Sequence, residues 1–177
     1  MKWQSHKTMT FFTTLLLTGN PIFAVISLPG SIFPDVLDLL ANLKHRTYSH
    51  VLAMWLFFTL SFLMLASQTQ TYSYLSYFTI KNLLVQGYEK LIFTTDVLNT
   101  HSSESVVAGM LTFFAWFSFG AFMHCLEDTL TGGVPFINPS RKTVRFKFFR
   151  TGSVKECLFC FSYVVVCIIL IYFFQVK

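Results

Sequence analysis

Val106–Leu126, VVAGMLTFFAWFSFGAFMHCL, carries no acid, lysine or arginine and meets the ~20 helical residues needed to cross ~30 Å of hydrocarbon. It predicts a transmembrane helix whose end is polar, with His124 followed by Glu127 and Asp128. The composition agrees: of 177 residues, 54% are hydrophobic and only 12% charged, with 22 Phe. Soluble domains carry about a quarter charged residues, so the chain reads as an all-α, polytopic integral membrane protein. Residues 1–177 form one membrane domain in this reading.

Working outward, Val51–Ala66 is a second apolar span and Cys157–Phe174 the last. Phe11–Phe33 is also apolar but is broken by Gly19-Asn20-Pro21, and each half is too short to span alone. It is either one kinked span or a re-entrant helical hairpin. About four hydrophobic segments result, the first of them with these two readings. A cleaved signal peptide competes at this end, because Lys2 and Lys7 precede the apolar run and Ala24 closes a small-residue stretch; apolar character nevertheless continues past Ala24. Residues 67–105 read as an interfacial or extracytoplasmic insertion. Tyr72, Tyr74, Leu75, Tyr77 and Phe78 suit a membrane interface, Leu91–Val97 is too short to cross, and His101 is expected to be solvated.

Net charge is +5, and Arg141, Lys142, Arg145, Lys147, Arg150 and Lys155 crowd into the segment 129–156. The positive-inside rule makes that segment a basic cytoplasmic loop. Anionic lipid headgroups are natural partners for it, and no nucleic acid is expected. With this loop inside, Val106–Leu126 enters from outside and Val51–Ala66 starts inside. Asp35, Asp38, His45, His50, His124 and Asp128 then share one membrane face, and His6 joins them only if the first apolar stretch is a hairpin. The four cysteines lie in or beside apolar segments, where free Cys behaves as a small hydrophobe. Cys157-x-x-Cys160 has redox or zinc spacing but no second pair to complete it.

The polar residues at the segment ends carry the chemistry. His124 and Asp128 are i and i+4 on a helix, one turn apart on the same face, a spacing that chelates a divalent ion; a hydrogen-bonded polar pair is the simpler use. Asp35 and Asp38 are i and i+3 after Pro34, where N-capping or the helix dipole alone accounts for a carboxylate. His45 and His50, in the string His45-Arg46-Thr47-Tyr48-Ser49-His50, converge only if that segment is bent. Arg46 suits an oxyanion or a pairing with Asp35 or Asp38. Ser49 beside His50 raises a nucleophile-with-base reading that no acyl-transfer motif supports. Taken jointly, His and Asp side chains at one face offer nitrogen and oxygen ligands for zinc, manganese or iron.

At these residues the chain resembles the YdjM-type family of membrane-bound metal-dependent hydrolases. The resemblance runs through His6, PDVLD (Pro34–Asp38), HRTYSH (His45–His50), GAFMHCLEDTLTGGVPFINP (Gly120–Pro139) and TGSVKE (Thr151–Glu156), in that order, and omits Ser67–Ser105. It implies His6, Asp35, Asp38, His45, His50, His124 and Asp128 as residues of a metal site, with Arg46 and Glu156 as catalytic candidates around it. It further implies a bacterial-type inner membrane with the site facing the cytoplasm. The family's HRG-x-THS departs here to Thr47, Ser49 and Val51, its aspartates lie one residue further apart, and one residue is missing between Thr131 and the Gly133-Val134 pair.

The expected function is metal-dependent hydrolysis of an ester or phosphoester, in a small-molecule or lipid-linked substrate. A non-catalytic membrane assembly protein with membrane-protein partners and a degenerate site is the alternative. A metal transporter would place such residues along a pathway at mid-bilayer rather than at segment ends. A lipid-phosphatase resemblance prompted by His124-x-x-x-Asp128 lacks the accompanying motifs.

Overall fold

The computed structural model of the chain describes residues 1–69, 102–141 and 144–176. The aromatic stretch Tyr72–Phe78, Leu91–Val97 and His101 lie outside the described residues. Among the described residues, three stretches are long and apolar enough to cross a membrane, Pro21–Leu40, Val106–Asp128 and Val154–Phe174, and Leu52–Ser67 is a shorter apolar helix.

The first apolar stretch is a hairpin. Helix α1 (Trp3–Thr18) stops at Gly19, whose φ of 64° is left-handed and free of strain only for a residue without Cβ. Asn20 then caps α2 (Pro21–Gly30), its side chain accepting from the amides of Ile22 and Phe23, while Pro21 sits where a missing N–H costs nothing. The arms lie side by side: Thr14 Oγ1 is 3.0 Å from Ser27 Oγ, and Leu15 shares a cluster with Ala24. On its other side Phe23 stacks on Trp116. From Trp116 the neighbouring helix runs on to Val106, roughly 15 Å at 1.5 Å per residue, whereas α2 has only Pro21 and Ile22 left before its turn. The hairpin therefore reverses short of that helix's far end. The chain's first residues return to the end where α2 finishes, so His6 belongs with the other polar residues.

Pro29 and the bend at Ser31 and Ile32 end α2, and α3 (Phe33–Leu40) opens with Pro34 in its first turn. A short 3₁₀ turn (Tyr48–His50) leads to α4 (Leu52–Ser67). The long α5 (Ser102–Asp128) follows, then a two-stranded antiparallel ribbon of β1 (Gly133–Val134) and β2 (Val144–Arg145), then α6 (Val154–Ile171), capped by the Ser153 hydroxyl. The helices pack in the spatial order α4, α5, α2, α1, α6. Segment 129–156 thus contains a small folded ribbon, and Phe146 and Phe148 donate from their amides to the carbonyls of Thr129 and Leu130.

The α2–α5 contact is a backbone contact. A Cβ on Gly30 would lie 1.9 Å from the Phe117 carbonyl oxygen, and one on Gly120 would lie 2.1 Å from that of Ser27. Small residues let two helices in lipid approach until backbones touch. That approach sets the height of Ser31 against His124.

Candidate metal centre

Five elements deliver polar side chains to one end of the helical array: the start of α1, α3, the 3₁₀ turn before α4, the end of α5 and the start of α6. His6, His50, His124 and Asp128 are buried completely or almost so, and Asp38, Glu127 and Glu156 nearly so. The bend that His45 and His50 require is present. Asn42 and Arg46 take left-handed φ values of 48° and 60°, and the chain between α3 and α4 folds back over the two aspartates. The loop after α5 fixes where α4 begins, because the first amides of α4, at Leu52 and Ala53, donate to the carbonyls of Pro135 and Phe136 at 3.0 and 2.9 Å.

At the centre, His50 Nε2 and His124 Nε2 face each other at 3.2 Å. Asp35 Oδ1 lies 3.3 Å from the first and 3.4 Å from the second. Asp128 Oδ2 lies 3.7 Å from His50 Nε2 and 4.0 Å from His124 Nε2. Four ligands holding one ion tetrahedrally at 2.0–2.1 Å stand roughly 3.3–3.4 Å apart, so these separations fit a shared ion.

Hydrogen bonding on the far side of each ring decides what the central atoms present. His124 Nδ1 lies 2.7 Å from the Ser31 carbonyl oxygen, which only accepts, so this nitrogen carries the proton. The Ser49 hydroxyl donates to Asp38 Oδ1, so His50 Nδ1, 2.8 Å from Ser49 Oγ, is the donor in that pair. In the neutral rings both Nε2 atoms are then lone pairs pointing at each other. Among the described residues, Asp35 Oδ1, buried between them, has no hydrogen-bond partner, and neither has His6 Nε2, 3.4 Å from Asp128 Oδ1. Lone pairs directed together without a proton repel unless a cation lies between them, and the outer partners orient the rings as they do around metal-bound histidines.

The charges lean the same way. Asp35, Asp38, Glu127 and Asp128 are four carboxylates, and even with the Met1 ammonium counted they meet two fixed cations. The excess of acids favours a cation in the cluster.

The expected site residues take different positions. His6 lies against His124 with ring centroids 4.0 Å apart and the rings tilted by 33°, and its Nδ1 is 2.7 Å from Glu127 Oε2. Asp38 sits behind His50, holding Ser49, His45 Nδ1 at 3.1 Å and the Arg46 amide at 3.2 Å. His45 is at the edge, its side chain 56% exposed. Arg46 is committed to the protein: Nε and Nη2 donate to the two oxygens of Asp128 at 2.7 and 2.8 Å, and Nη2 also reaches Thr131 Oγ1 at 2.9 Å. Gly132 makes room for it, since a Cβ there would lie 1.8 Å from Arg46 Nη1. Glu156 is bound elsewhere, its oxygens accepting from the Lys2 amide, the Ser5 hydroxyl and the Gly152 amide; its contacts hold the N-terminal segment that carries His6. Ser49 is hydrogen-bonded on both sides inside the protein, which leaves the nucleophile reading without an exposed hydroxyl.

Sequence reasoning missed the Ser31 carbonyl, since a backbone acceptor has no side-chain signature, and Trp3, whose indole N–H donates to Asp35 Oδ2 at 2.8 Å. It gave Glu127 no partner, whereas the structure pairs it with His6 and Thr10. Among the described residues, Asp35/His45/His50/Asp128 and His6/His124/Asp128 are further groups whose ligand atoms lie close enough to share an ion, and neither includes a cysteine. The four cysteines are free.

Fold and site together define a polytopic helical membrane protein with a cluster of metal-ligand-capable His and Asp residues at one end of its helices. The chain belongs to the YdjM inner membrane protein family, which it matches over residues 1–176. No curated protein and no solved structure matches it.

Proposed function

We propose that this protein is a metal-dependent hydrolase of an ester or phosphoester, with its site at the cytoplasmic face of the inner membrane. The observation that carries the reading is the pair of His50 and His124 Nε2 lone pairs, turned toward each other and toward the unpartnered Asp35 Oδ1. Asp35, His50 and His124 would hold a zinc, manganese or iron ion, with Asp128 beside them. When bound, such an ion supplies Lewis acidity, polarising a phosphoryl or carbonyl oxygen and bringing the pKa of water toward neutrality.

The remaining residues act on position and charge. Ser31 and the Ser49–Asp38 pair keep the protons of His124 and His50 on Nδ1, so that Nε2 stays available. Arg46 holds Asp128 in place, which makes it a positioning residue. Glu127 orients His6 through Nδ1, and Glu156 anchors the strand of chain leading to it. His45 and Asp35 stand on the open side, where a substrate can reach the cluster.

The test is hydrolysis of para-nitrophenyl phosphate, bis(para-nitrophenyl) phosphate and para-nitrophenyl acetate by the purified chain in detergent, before and after chelation. The expected result is turnover of at least one probe that chelation abolishes and one of zinc, manganese or iron restores, with His50→Ala roughly a hundredfold slower or worse. Metal retained without turnover of any probe would reject hydrolysis in favour of the non-catalytic assembly role.

A further inference from the structure

The cluster is covered except at its edge, where Asp35 is partly exposed and His45 exposed. The side chains of His6, His50, His124 and Asp128 are at most 1% exposed, whereas Asp35 is 14% and His45 56% exposed. What borders that edge is apolar. Trp3, whose indole N–H holds Asp35 Oδ2, is itself 45% exposed. Leu39 stands one turn beyond Asp35 on the same side of α3 and is 74% exposed, and Leu40 is 77% exposed. Tyr48 and Leu43 on the loop are exposed as well.

Helix α3 thus ends in two exposed leucines beside its buried acids. Asp35 and Asp38 face the protein and Leu37 packs against Leu52 and Trp55, whereas Leu39 and Leu40 at the end of the helix are exposed. Exposed leucines beside buried acids suit contact with hydrocarbon, and Trp, Tyr and Lys are the residues of the headgroup level. Two exposed lysines complete the border, Lys44 next to His45 and Lys7 one turn along α1 from Trp3. An exposed edge with leucines on one side, an indole and lysines around it and unpartnered ligand atoms within is suited to a molecule that is apolar at one end and anionic at the other.

We propose that the exposed edge of the cluster at Asp35 and His45, bordered by Trp3 and the end of α3, is a lateral portal that admits a phosphoester amphiphile of phosphatidic-acid chemistry from the adjoining leaflet. The phosphate enters toward Asp35 and His45, with Lys44 and Lys7 supplying countercharge. The acyl chains remain against Leu39 and Leu40, in the bilayer. The proposal rests on the reading of the cluster as a hydrolytic metal centre and adds the class of substrate.

The test is native mass spectrometry of the full chain, zinc-loaded in detergent, titrated with dioleoylphosphatidic acid, dioleoylphosphatidylcholine and glycerol 3-phosphate. Phosphatidic acid is expected to bind one per chain, about tenfold or more tightly than either of the others, and Leu39→Glu with Leu40→Glu to weaken it about tenfold without loss of zinc. Equal binding of phosphatidylcholine would reduce the observation to surface lipid. Equal binding of glycerol 3-phosphate would make the substrate water-soluble, and an unchanged affinity in the double variant would remove the portal; each overturns the proposal. If the double variant fails to fold, the three-ligand comparison on the natural chain decides alone. Phosphatidic acid bound but not hydrolysed would count against hydrolysis and leave the portal standing.

Discussion

Asp128→Ala should lower the stability of the detergent-solubilised protein by about 3–5 kcal/mol, the usual cost of removing one partner from a buried ion pair. The reason is the number of groups that depend on this carboxylate. Arg46 contacts both of its oxygens, the Met1 ammonium lies 2.6 Å from Oδ1, and His6 Nε2 is 3.4 Å away. With Asp128 gone, a largely buried guanidinium keeps, among the described residues, the Thr131 hydroxyl as its side-chain acceptor. Asp128→Asn is the informative companion, because an amide keeps one acceptor for Arg46 but loses the charge. It should fall between the natural chain and Asp128→Ala in thermal midpoint. An Asp128→Ala protein as stable as the natural one would show that Arg46 and the N-terminal segment are held by something else.

The second large effect is expected far from any ligand atom. Gly30→Ala and Gly120→Ala each put a methyl group within about 2 Å of a carbonyl oxygen on the facing helix, and a backbone cannot rotate aside as a side chain can. Helices α2 and α5 must separate, and overpacking of this kind costs roughly 1–3 kcal/mol or more. The separation has a consequence for the site. Ser31, which directly follows Gly30, moves away from His124 Nδ1, and the ring loses the acceptor that fixes its proton. Loss of an outer partner of this kind typically weakens metal affinity by about 10–100-fold. The measurement is zinc affinity by competition with a chromogenic chelator, alongside the thermal midpoint. A destabilised variant with unchanged affinity would separate helix packing from the site and refute the link. Gly109, whose Cβ would meet nothing within 4 Å, is the control, and its substitution by alanine should leave zinc affinity unchanged and the thermal midpoint no lower.

Much of the architecture was legible because lipid simplifies the code. An uncharged run as long as Val106–Leu126 has few alternatives to a spanning helix, and His124 and Asp128 four residues apart on it must share a face. The bend between His45 and His50 was legible only as a condition for convergence. Its cause lies in left-handed backbone at Asn42 and Arg46, residue types that do not announce it as glycine would. The Gly19-Asn20-Pro21 break was visible, yet a kink and a reversal use the same residues; the choice depends on α2 finding a backbone groove on α5 through Gly30 and Gly120, a contact between distant segments. The roles of Arg46 and Glu156 were hidden for a related reason. A charged residue near a polar motif reads as catalytic until its partners are known, and those partners lie 82 and up to 154 residues away.

The central claim, that Asp35, His50 and His124 hold one divalent ion, is tested most directly by X-ray absorption on the zinc-loaded full chain. The predicted spectrum shows one zinc per protein in a nitrogen and oxygen shell at about 2.0–2.1 Å, with two imidazoles in the natural chain and one in His124→Ala. A sulfur shell at about 2.3 Å, or no zinc retained by the natural chain, would contradict it.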